Sequence, residues 1–455
     1  MKHIKKILFL CMVSITLLSC EKFLDKKSNK QFVSPEKLED LQALLDYNTV
    51  MNLRSPALGE ISADNYYLIQ TTFDALPTWD KEAYTWGVEI YTSFPNDWSQ
   101  TFDVVNYANI VLEQLDKLEL TPQNLSAWNN VKGSALLFRS KAFLQASWTW
   151  CKSFDSISAS SDLGLPLRLD PDHNNISVRS SVKQTYDQVI ADLKEAADLL
   201  PIIPVHSMRP SKPAAYGLLA RTYLSMRLYD SCFKYADLAL VLKNELLDFN
   251  PPGISNPNAT FPIKRFNQEV IMHFIMPNLH QNLVNTRARV DSNLFNSYHA
   301  NDLRKVVFFR ANSDGSRSFK GSFDGSNFQF TGVTTGEIYL MRAECFARKG
   351  QIELAMADLN TLLEKRWKLN EFIPLQAATP TEALDIILQE RRKELLFRDL
   401  RWMDIKRLNK ENGNAIILKR YVNNQFLELA PNDNKYALPL PSDVISISKM
   451  QQNSR

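Results

Sequence analysis

The residues of this sequence most suited to binding chemistry are aromatic rings, which concentrate in residues 53–97. The segment lacks a sustained helical period, and Pro77 and Pro95 interrupt it, so no regular element accounts for the rings. Such a segment exposes an unfavourable apolar patch unless it packs internally, contacts a partner protein or binds a ligand. Ligand binding is our hypothesis, with core packing or partner contact as the alternative. The candidate ligand-binding side chains are Trp79, Tyr84, Trp86, Asp80, Tyr66 and Asn65.

The sequence contains none of the short motifs that mark common active sites, such as a phosphate-binding loop, a G-x-S-x-G elbow or an H-E-x-x-H helix. His273 and His280 are close in sequence, but Pro277 interrupts any helix between them, which disfavours shared metal ligation. Residues 312–315 resemble a calcium-binding loop, but Arg310 stands where the first carboxylate belongs, so a turn is the better interpretation. We therefore predict a binding protein and not an enzyme, with no catalytic residue, metal or cofactor.

Pairs of closely packed helices are the elements expected to position these residues. A small residue followed three positions later by an aromatic one recurs at Ser140/Phe143, Ala220/Tyr223 and Ala343/Phe346. Complementary positions on the following helices are Cys232, Ala236 and Ala239 after the second pair, and Ala355 and Leu359 after the third. This spacing is typical of tetratricopeptide-type helix pairs, in which small residues let two helices approach. The predicted fold is all-α, a tetratricopeptide-like helix-pair scaffold with long aromatic-rich irregular excursions.

A single domain is predicted over residues 34–455. It divides into a helical part (34–248, including the excursion 53–97), a second irregular excursion (249–336) and a C-terminal part (337–455). Apolar periodicity predicts helices over residues 104–118, 128–150, 182–200 and 214–242, after an earlier helix that starts at Ser34 and Pro35. The second excursion contains short β-type runs at 270–274 and 305–309.

Charge and cysteine usage exclude some classes of protein. The 53 basic residues nearly balance the 50 acidic ones and are interspersed with them, which disfavours a nucleic-acid-binding surface. The five cysteines show neither a disulfide framework nor a C-x-x-C metal site. Cys232 and Cys345 fall where packed helices need a small residue, so we expect both in the core.

Residues 1–19 are predicted to be a signal peptide. A basic start precedes an apolar stretch at 7–18 that is too short to cross a bilayer comfortably. Residues 17–20, Leu-Leu-Ser-Cys, resemble a bacterial lipobox, in which Cys20 is acylated and becomes the mature N-terminus. Residues 20–33 would then be a lipidated tether, and several fatty acyl chains (palmitate among them) would give stable anchoring. The alternative is an ordinary secretory signal in which Cys20 is incidental.

The C-terminal part begins with a helix pair predicted over residues 338–366. A third helix is predicted to run to residue 407, with Thr379 as its N-cap, Pro380 at its first position and Glu382 completing a capping box. It carries the run QERRKELLFRDLRWMDIKR at 389–407. The structural interpretation of this charge-rich run is a scaffold helix stabilised by ion pairs.

Two spacings in this run suit ion pairs within a helix, Glu390–Lys393 and Glu394–Arg398. The run resembles the C-terminal signature of the SusD/RagB family of bacterial outer-membrane nutrient-binding lipoproteins. The family usually has Glu and Gly where this chain has Arg398 and Asp399. Further phrases resemble the same family at 23–25, at 298–309 (an aspartate–x–arginine element) and at 435–453.

The resemblance implies a surface-exposed outer-membrane lipoprotein that binds glycan oligomers and delivers them to a TonB-dependent, SusC-like transporter. Aromatic rings would stack on sugar faces, and Asp64, Asn65 and Asp80 would bond the hydroxyl groups. One alternative keeps this role but makes the ligand an oligopeptide, as in RagB-type members. Another is an interaction adaptor that uses tetratricopeptide grooves and binds no small ligand.

Overall fold

The described structure begins at Lys37. A computed structural model gives the positions of residues 37–455, apart from residues 93, 278, 412 and 414. The predicted signal peptide, Cys20 and the tether lie outside the described residues, so the predictions about them stay predictions. Within the described residues, one continuous hydrophobic core includes side chains from Leu41 to Met450.

Helices are the main elements of the chain. From the N-terminal side they are α1 Leu38–Leu45, α2 Asn48–Met51, α3 Leu58–Ser62, α4 Gln70–Asp74, α5 Thr78–Tyr84, α6 Asp97–Leu115, α7 Leu125–Trp150, α8 Val182–Leu199, α9 Lys212–Ser225 and α10 Tyr229–Leu242. The remaining helices are α11 Ser292–Asn296, α12 Arg304–Val307, α13 Thr335–Arg348, α14 Ile352–Glu364, α15 Pro380–Glu394, α16 Arg401–Leu408 and α17 Ser442–Ser448. The long helices overlap those predicted from apolar periodicity.

Strands are short and form antiparallel pairs between the helices. They are β1 Tyr66–Tyr67, β2 Leu163–Pro166, β3 Arg179–Ser181, β4 Val270–Met272, β5 Ile275–Met276, β6 Arg289–Val290, β7 Phe309–Ala311, β8 Arg317–Phe319, β9 Gln329–Phe330, β10 Val333–Thr334, β11 Leu418–Val422 and β12 Gln425–Leu429. The pairs are β1 with β6, β2 with β3, β4 with β10, β5 with β9, β7 with β8, and β11 with β12. The β1–β6 pair joins the first excursion to the second.

Successive long helices pack against one another. α6 packs on α7, α7 on α8, α8 on α9 and α9 on α10; α10 packs on α13, which packs on α14 and α15. The small residues predicted at helix contacts are fully buried: Ser140, Ala220, Cys232, Ala236, Ala239, Ala343 and Ala355. This packing confirms the all-α, tetratricopeptide-like scaffold, and Cys232 and Cys345 lie in its core as expected.

The turn between α13 and α14 depends on glycine. Gly350 has φ = 75°, a left-handed conformation that costs little without a Cβ atom. Its N–H donates to the Ala347 carbonyl, and the Gln351 N–H donates to the Phe346 carbonyl, both at 3.0 Å. These bonds satisfy carbonyls at the end of α13 and stop the helix.

The predicted single helix through residue 407 is wrong. α15 ends at Glu394 and α16 begins at Arg401. Phe397 (φ = 56°) and Asp399 (φ = 58°) adopt left-handed conformations between them, which no α-helix accommodates. The position of Asp399 is one where the family usually has glycine, the residue that accepts this conformation most easily.

The start of α15 is close to the prediction. Thr379 accepts a hydrogen bond from the Glu382 N–H, and Pro380 occupies the first position. The Glu382 carboxylate accepts instead from the Ala378 N–H at 2.8 Å, one residue before the N-cap. The predicted capping box is therefore displaced by one residue.

Buried ion pairs hold α15 to the second excursion. Glu394 lies 3.2 Å from Arg304 and 2.8 Å from Arg366, rather than pairing with Arg398 as predicted, because the helix ends before Arg398. Burial alone would raise the pKa of Glu394, but Arg366 and Arg304 outweigh it and lower the pKa to about 2. Asp302 also pairs with Arg304, at 2.7 Å, so the aspartate–x–arginine element belongs to this ionic cluster.

The two irregular excursions contain more short helices than the sequence predicts. The β-type run at 270–274 is confirmed by β4, whereas 305–309 is mostly the short helix α12. The first excursion contains the short helices α3, α4 and α5, with Pro77 as the N-cap of α5. Helices of one or two turns are too short to produce a sustained period in the sequence.

Candidate functional site

Five of the six predicted ligand-binding side chains lie in the interior. The buried five, each at most 2% exposed, are Tyr66, Tyr84, Trp86, Asp80 and Asn65. Trp79 is half-buried on α5. The structure therefore does not present the predicted three-ring stacking platform at the surface in this conformation, because protein covers the faces of Tyr84 and Trp86. A contribution of these residues to binding stays a prediction.

Arg420 on β11 explains why these rings cluster. Its guanidinium carbon lies 4.2 Å from the ring centre of Tyr84, 5.3 Å from that of Tyr66 and 5.5 Å from that of Trp86. The guanidinium also donates to the backbone carbonyls of Ile61, Ala63, Tyr66 and Tyr84. Because Arg420 is only 4% exposed, these carbonyls and rings replace its water shell. The predicted aromatic residues thus hold β11 against the first excursion.

Asp80 belongs to a buried clasp centred on His280. The Nδ1 atom of His280 lies 2.7 Å from an Asp80 oxygen, and its Nε2 lies 2.7 Å from an Asp97 oxygen. Carboxylates next to both ring nitrogens favour the doubly protonated imidazolium, in which both nitrogens donate. Burial alone would lower the pKa of His280, but Asp97 and Asp80 outweigh it and raise the pKa to about 9. The clasp ties α5 and the start of α6 to the second excursion.

An open cavity of about 760 Å³, which we call the hairpin pocket, adjoins the buried rings of Tyr66 and Tyr84. The segment around β1, the start of α11, α15 and the β11–β12 hairpin form its walls. The lining residues are Asp64, Tyr66, Tyr67, Leu68, Ile69, Gln70, Tyr84, Asp291, Ser292, Asn293, Arg392, Ile417, Lys419, Arg420, Tyr421, Asn424 and Phe426. Its volume and its mixture of rings with polar side chains are typical of small-ligand sites.

The most exposed rings of the hairpin pocket belong to the hairpin itself. Side chains alternate along β11, so Arg420 points inward and Tyr421 points outward. Tyr421 is the cross-strand partner of Phe426, and their ring centres are 4.8 Å apart. Tyr421 is 54% exposed and Phe426 is 71% exposed. Together they form an aromatic surface at the pocket that protein does not cover.

A tight turn and a side-chain contact fix this hairpin. Asn423 (φ = 53°) and Asn424 (φ = 60°) occupy its two turn positions, and Asn tolerates the left-handed conformation that a two-residue hairpin turn requires. The Gln70 side chain at the start of α4 bonds the Asn423 side-chain oxygen at 2.8 Å and the Asn423 N–H at 2.7 Å. The hairpin tip is thereby attached to the first excursion.

The charged residues that line the hairpin pocket, apart from Arg420, have ion-pair partners, some of which lie outside the lining. Asp64 receives two hydrogen bonds from Arg401, at 2.6 and 2.9 Å, and pairs with Arg392 at 3.3 Å. Burial alone would raise the pKa of Asp64, but Arg401 and Arg392 outweigh it and hold the pKa well below its usual range. Lys419 pairs with Glu428 across the hairpin at 2.8 Å. The pocket therefore presents charges that already have counter-ions.

Sequence reasoning missed Tyr67, Tyr421, Phe426 and Arg392. One signal was available for the hairpin: Asn423-Asn424, two residues that tolerate the left-handed turn conformation, stands between two short runs that contain valine and aromatic residues. No comparable signal marks Arg392, because its position in the pocket follows from the contact of α15 with Asp64.

Two family profiles match the sequence. Residues 22–224 match a SusD-like family described as starch-binding and associating with the outer membrane, and residues 307–454 match the SusD family proper, SusD/RagB. Together these matches cover more than half of the chain. The chain belongs to the SusD/RagB family. A search of curated protein sequences gives no match.

Solved structures of the SusD superfamily share the fold. A superfamily protein of Bacteroides thetaiotaomicron is 20% identical with a TM-score of 0.70, and the alignment covers 92% of this chain and 100% of that one. One of Bacteroides fragilis is 20% identical with a TM-score of 0.69, covering 92% and 99%. A SusD-like carbohydrate binding protein of Bacteroides vulgatus is 20% identical with a TM-score of 0.64, covering 90% and 96%. At this level of identity the likeness establishes the fold.

The SusD/RagB signature at 389–407 corresponds to the end of α15, the non-helical residues 395–400 (the break) and α16. Arg398, within the break, places its guanidinium 4.1 Å from the ring centre of Phe323 and donates to Thr334. In this part of the SusD/RagB signature Arg398 lies between two helices, so the predicted continuous scaffold helix is not observed there. In the part of the chain that the structure describes, no helix has both the length and the apolar character needed to cross a membrane.

Proposed function

We propose that this SusD/RagB-family chain is a surface-exposed outer-membrane lipoprotein that binds glycan oligomers in the hairpin pocket and delivers them to a TonB-dependent, SusC-like transporter. The observation that carries the proposal is the exposed Tyr421–Phe426 ring pair beside polar groups of the pocket. Aromatic faces suit the apolar faces of sugar rings, and the neighbouring Asn293 and Asn424 side chains can bond hydroxyl groups.

The charge pairing favours neutral glycans. Arg392 has Asp64 and Asp291 as carboxylate neighbours, and Lys419 has Glu428. Arg420 directs its donors to backbone carbonyls of the first excursion. An acidic sugar would have to compete with these partners, whereas a neutral sugar would leave them in place. We therefore expect neutral oligosaccharides to bind more tightly than those that contain uronic acids.

Calorimetric titration of the wild-type chain tests the ligand class. The panel contains neutral oligosaccharides, uronate-containing oligosaccharides and oligopeptides. Tight binding of a neutral oligosaccharide supports the proposal. Binding of peptides alone would replace it with the RagB-type role, and no binding by any panel member would favour the adaptor function.

The proposed role is binding without catalysis. The bound glycan should be recovered intact after prolonged incubation with the protein, which product analysis by chromatography measures. Release of shorter fragments at a rate proportional to protein concentration would contradict a purely binding role. A gentle detergent pulldown through the native lipoprotein should also recover the barrel transporter, and repeated failure from cells grown on the bound glycan would count against that partnership.

A further inference from the structure

A rigid, exposed aliphatic loop lies between α8 and α9. Residues 201–205, Pro-Ile-Ile-Pro-Val, form what we call the aliphatic loop. Ile202 is 49% exposed, Ile203 is 84% exposed and Val205 is 86% exposed. Phe266, 38% exposed, adds an aromatic ring, because it packs edge-on against His206 at 4.5 Å, directly after the loop. Three exposed aliphatic side chains thus stand within four consecutive positions, with the Phe266 ring packed on the residue that follows them, unlike the isolated exposed apolar residues that any protein carries.

The structure holds the aliphatic loop in place. Leu200 before it is buried and packs so closely on Gly133 of α7 that a Cβ atom there would lie 2.9 Å from the leucine side chain. The Pro201 carbonyl accepts a hydrogen bond from the Lys212 N–H at 2.8 Å. Two prolines also restrict the backbone of the loop. The apolar side chains are thus presented outward by a fixed framework.

The surroundings of the aliphatic loop favour a lipid surface. Residues 199–211 contain no aspartate or glutamate, and the nearest acidic residue before them in the sequence is the exposed Asp198. Lys264 is exposed two residues before Phe266, and Lys212 is half-exposed beside the Pro201 carbonyl. Aliphatic side chains flanked by lysines suit the boundary between acyl chains and lipid phosphates.

The start of the described chain lies in the same region. Gln42 on α1 accepts a hydrogen bond from Asn130 on α7, one helical turn from Gly133. Asp46 at the end of α1 pairs with Arg209, which follows the aliphatic loop closely. Under the proposed anchor at Cys20, the intervening chain reaches at most about 60 Å to Lys37 when fully extended. The anchor would therefore be attached on this side of the protein.

We propose that the aliphatic loop, together with Phe266, dips into the surface of the membrane to which the chain is anchored. This inference rests on the proposed lipid anchor and adds a second, reversible contact that orients the body on the membrane. One acylated residue leaves a protein free to rotate about its tether. A second apolar contact removes much of that freedom.

The test uses the full chain with Cys20→Ser, so that the acyl anchor does not dominate binding. Ile203→Cys is labelled with an environment-sensitive fluorophore, since the cysteines of the described residues are buried. The probes are vesicles of phosphatidylethanolamine with and without phosphatidylglycerol. We expect a blue shift of the label at Ile203 on vesicles, larger with phosphatidylglycerol. The matched control is Ile157→Cys, since Ile157 is 93% exposed in a different loop, and its label should not shift.

Sedimentation with the same vesicles gives a second readout. Ile203→Asp should reduce the vesicle-bound fraction about tenfold, whereas Ile157→Asp should leave it unchanged. No blue shift at position 203, or equal binding by both aspartate variants, would overturn the proposal. A shift that requires transporter-containing vesicles would also overturn it and assign the loop to a protein partner. Glycan titration of the Ile203→Asp variant should match wild type, so failure of the glycan proposal is visible separately.

Discussion

Arg420 and His280 are buried residues that each join segments far apart in the sequence. Arg420 connects β11 to four carbonyls of the first excursion, and His280 connects α5 and α6 to the second. Protein groups, and not water, are the hydrogen-bond partners of each side chain. Removing either side chain would therefore leave several buried polar groups unpaired. The geometry of the pocket therefore depends on the contacts by which Arg420 fixes β11 to the first excursion.

His280→Gln tests the clasp through its pH dependence. The folded pKa of His280, about 9, lies above the ordinary value of 6.5, so protonation stabilises the folded state. The contribution, roughly 3 kcal/mol, should be fully present below pH 6.5 and lost as pH rises through 9. Urea denaturation should show that wild type has the larger free energy of unfolding below pH 6.5. The difference from the variant should shrink as the pH rises from 6.5 to above 9.

The control is His173→Gln, because His173 is exposed and away from the clasp. It should match wild type at every pH. If the difference in the free energy of unfolding between wild type and His280→Gln stays constant from below pH 6.5 to above pH 9, the ring is not held in its charged form.

At the scale of elements, the β11–β12 hairpin connects the scaffold to the candidate ligand surface. Its inner face is fixed by Arg420, its tip by Gln70, and its outer face carries Tyr421 and Phe426. The hairpin could have been predicted from the Asn423-Asn424 turn pair between two short strand-forming runs. Its place beside the first excursion could not, because the contact of Arg420 with Tyr84 and Trp86 joins segments at opposite ends of the chain.

Asn424→Ala tests the turn that orients the two rings. Its left-handed backbone should cost alanine about 1–2 kcal/mol in the free energy of unfolding, whereas Asn424→Gly should be tolerated. Asn424→Ala should also weaken glycan binding, since the ring pair loses its fixed geometry. Urea denaturation and calorimetry measure the two effects.

Asn432→Ala is the matched control, because Asn432 also has a left-handed backbone (φ = 61°) but does not line the hairpin pocket. It should lose stability and keep its glycan affinity. Equal stability of Asn424→Ala and Asn424→Gly would show that the turn is not under this constraint.

At the scale of the whole molecule, the scaffold was more predictable than the site. Ala343 and Phe346 belong to a repeated local pattern, so close helix packing could be inferred from residues near in sequence. The split of the predicted long helix was less visible, since it depends on Asp399 accepting a left-handed conformation. The burial of Trp86 was not predictable from the sequence. A segment rich in aromatic residues can form a ligand-binding surface or can surround a buried cation such as Arg420, and its composition is the same in both cases.

Membrane anchoring is a whole-molecule prediction that depends on Cys20. Cys20→Ser should leave the chain without acyl groups and release it in soluble form after signal cleavage, which metabolic labelling with a fatty acid and membrane fractionation measure. Unchanged labelling and unchanged membrane association would contradict lipidation at Cys20. The aliphatic loop by itself should hold only a small, salt-sensitive fraction on membranes.

Glycan binding in the hairpin pocket would depend most on the Tyr421–Phe426 pair, so calorimetric titration of the Tyr421→Ala/Phe426→Ala variant tests it most directly. The titrant is the oligosaccharide that binds wild type most tightly. We predict at least about a tenfold loss of affinity with little change in melting temperature, because both rings are largely exposed. Tyr47→Ala, which removes a 47% exposed ring outside the pocket, should keep full affinity. Unchanged affinity of the double variant, with the fold intact, would contradict glycan binding in the hairpin pocket.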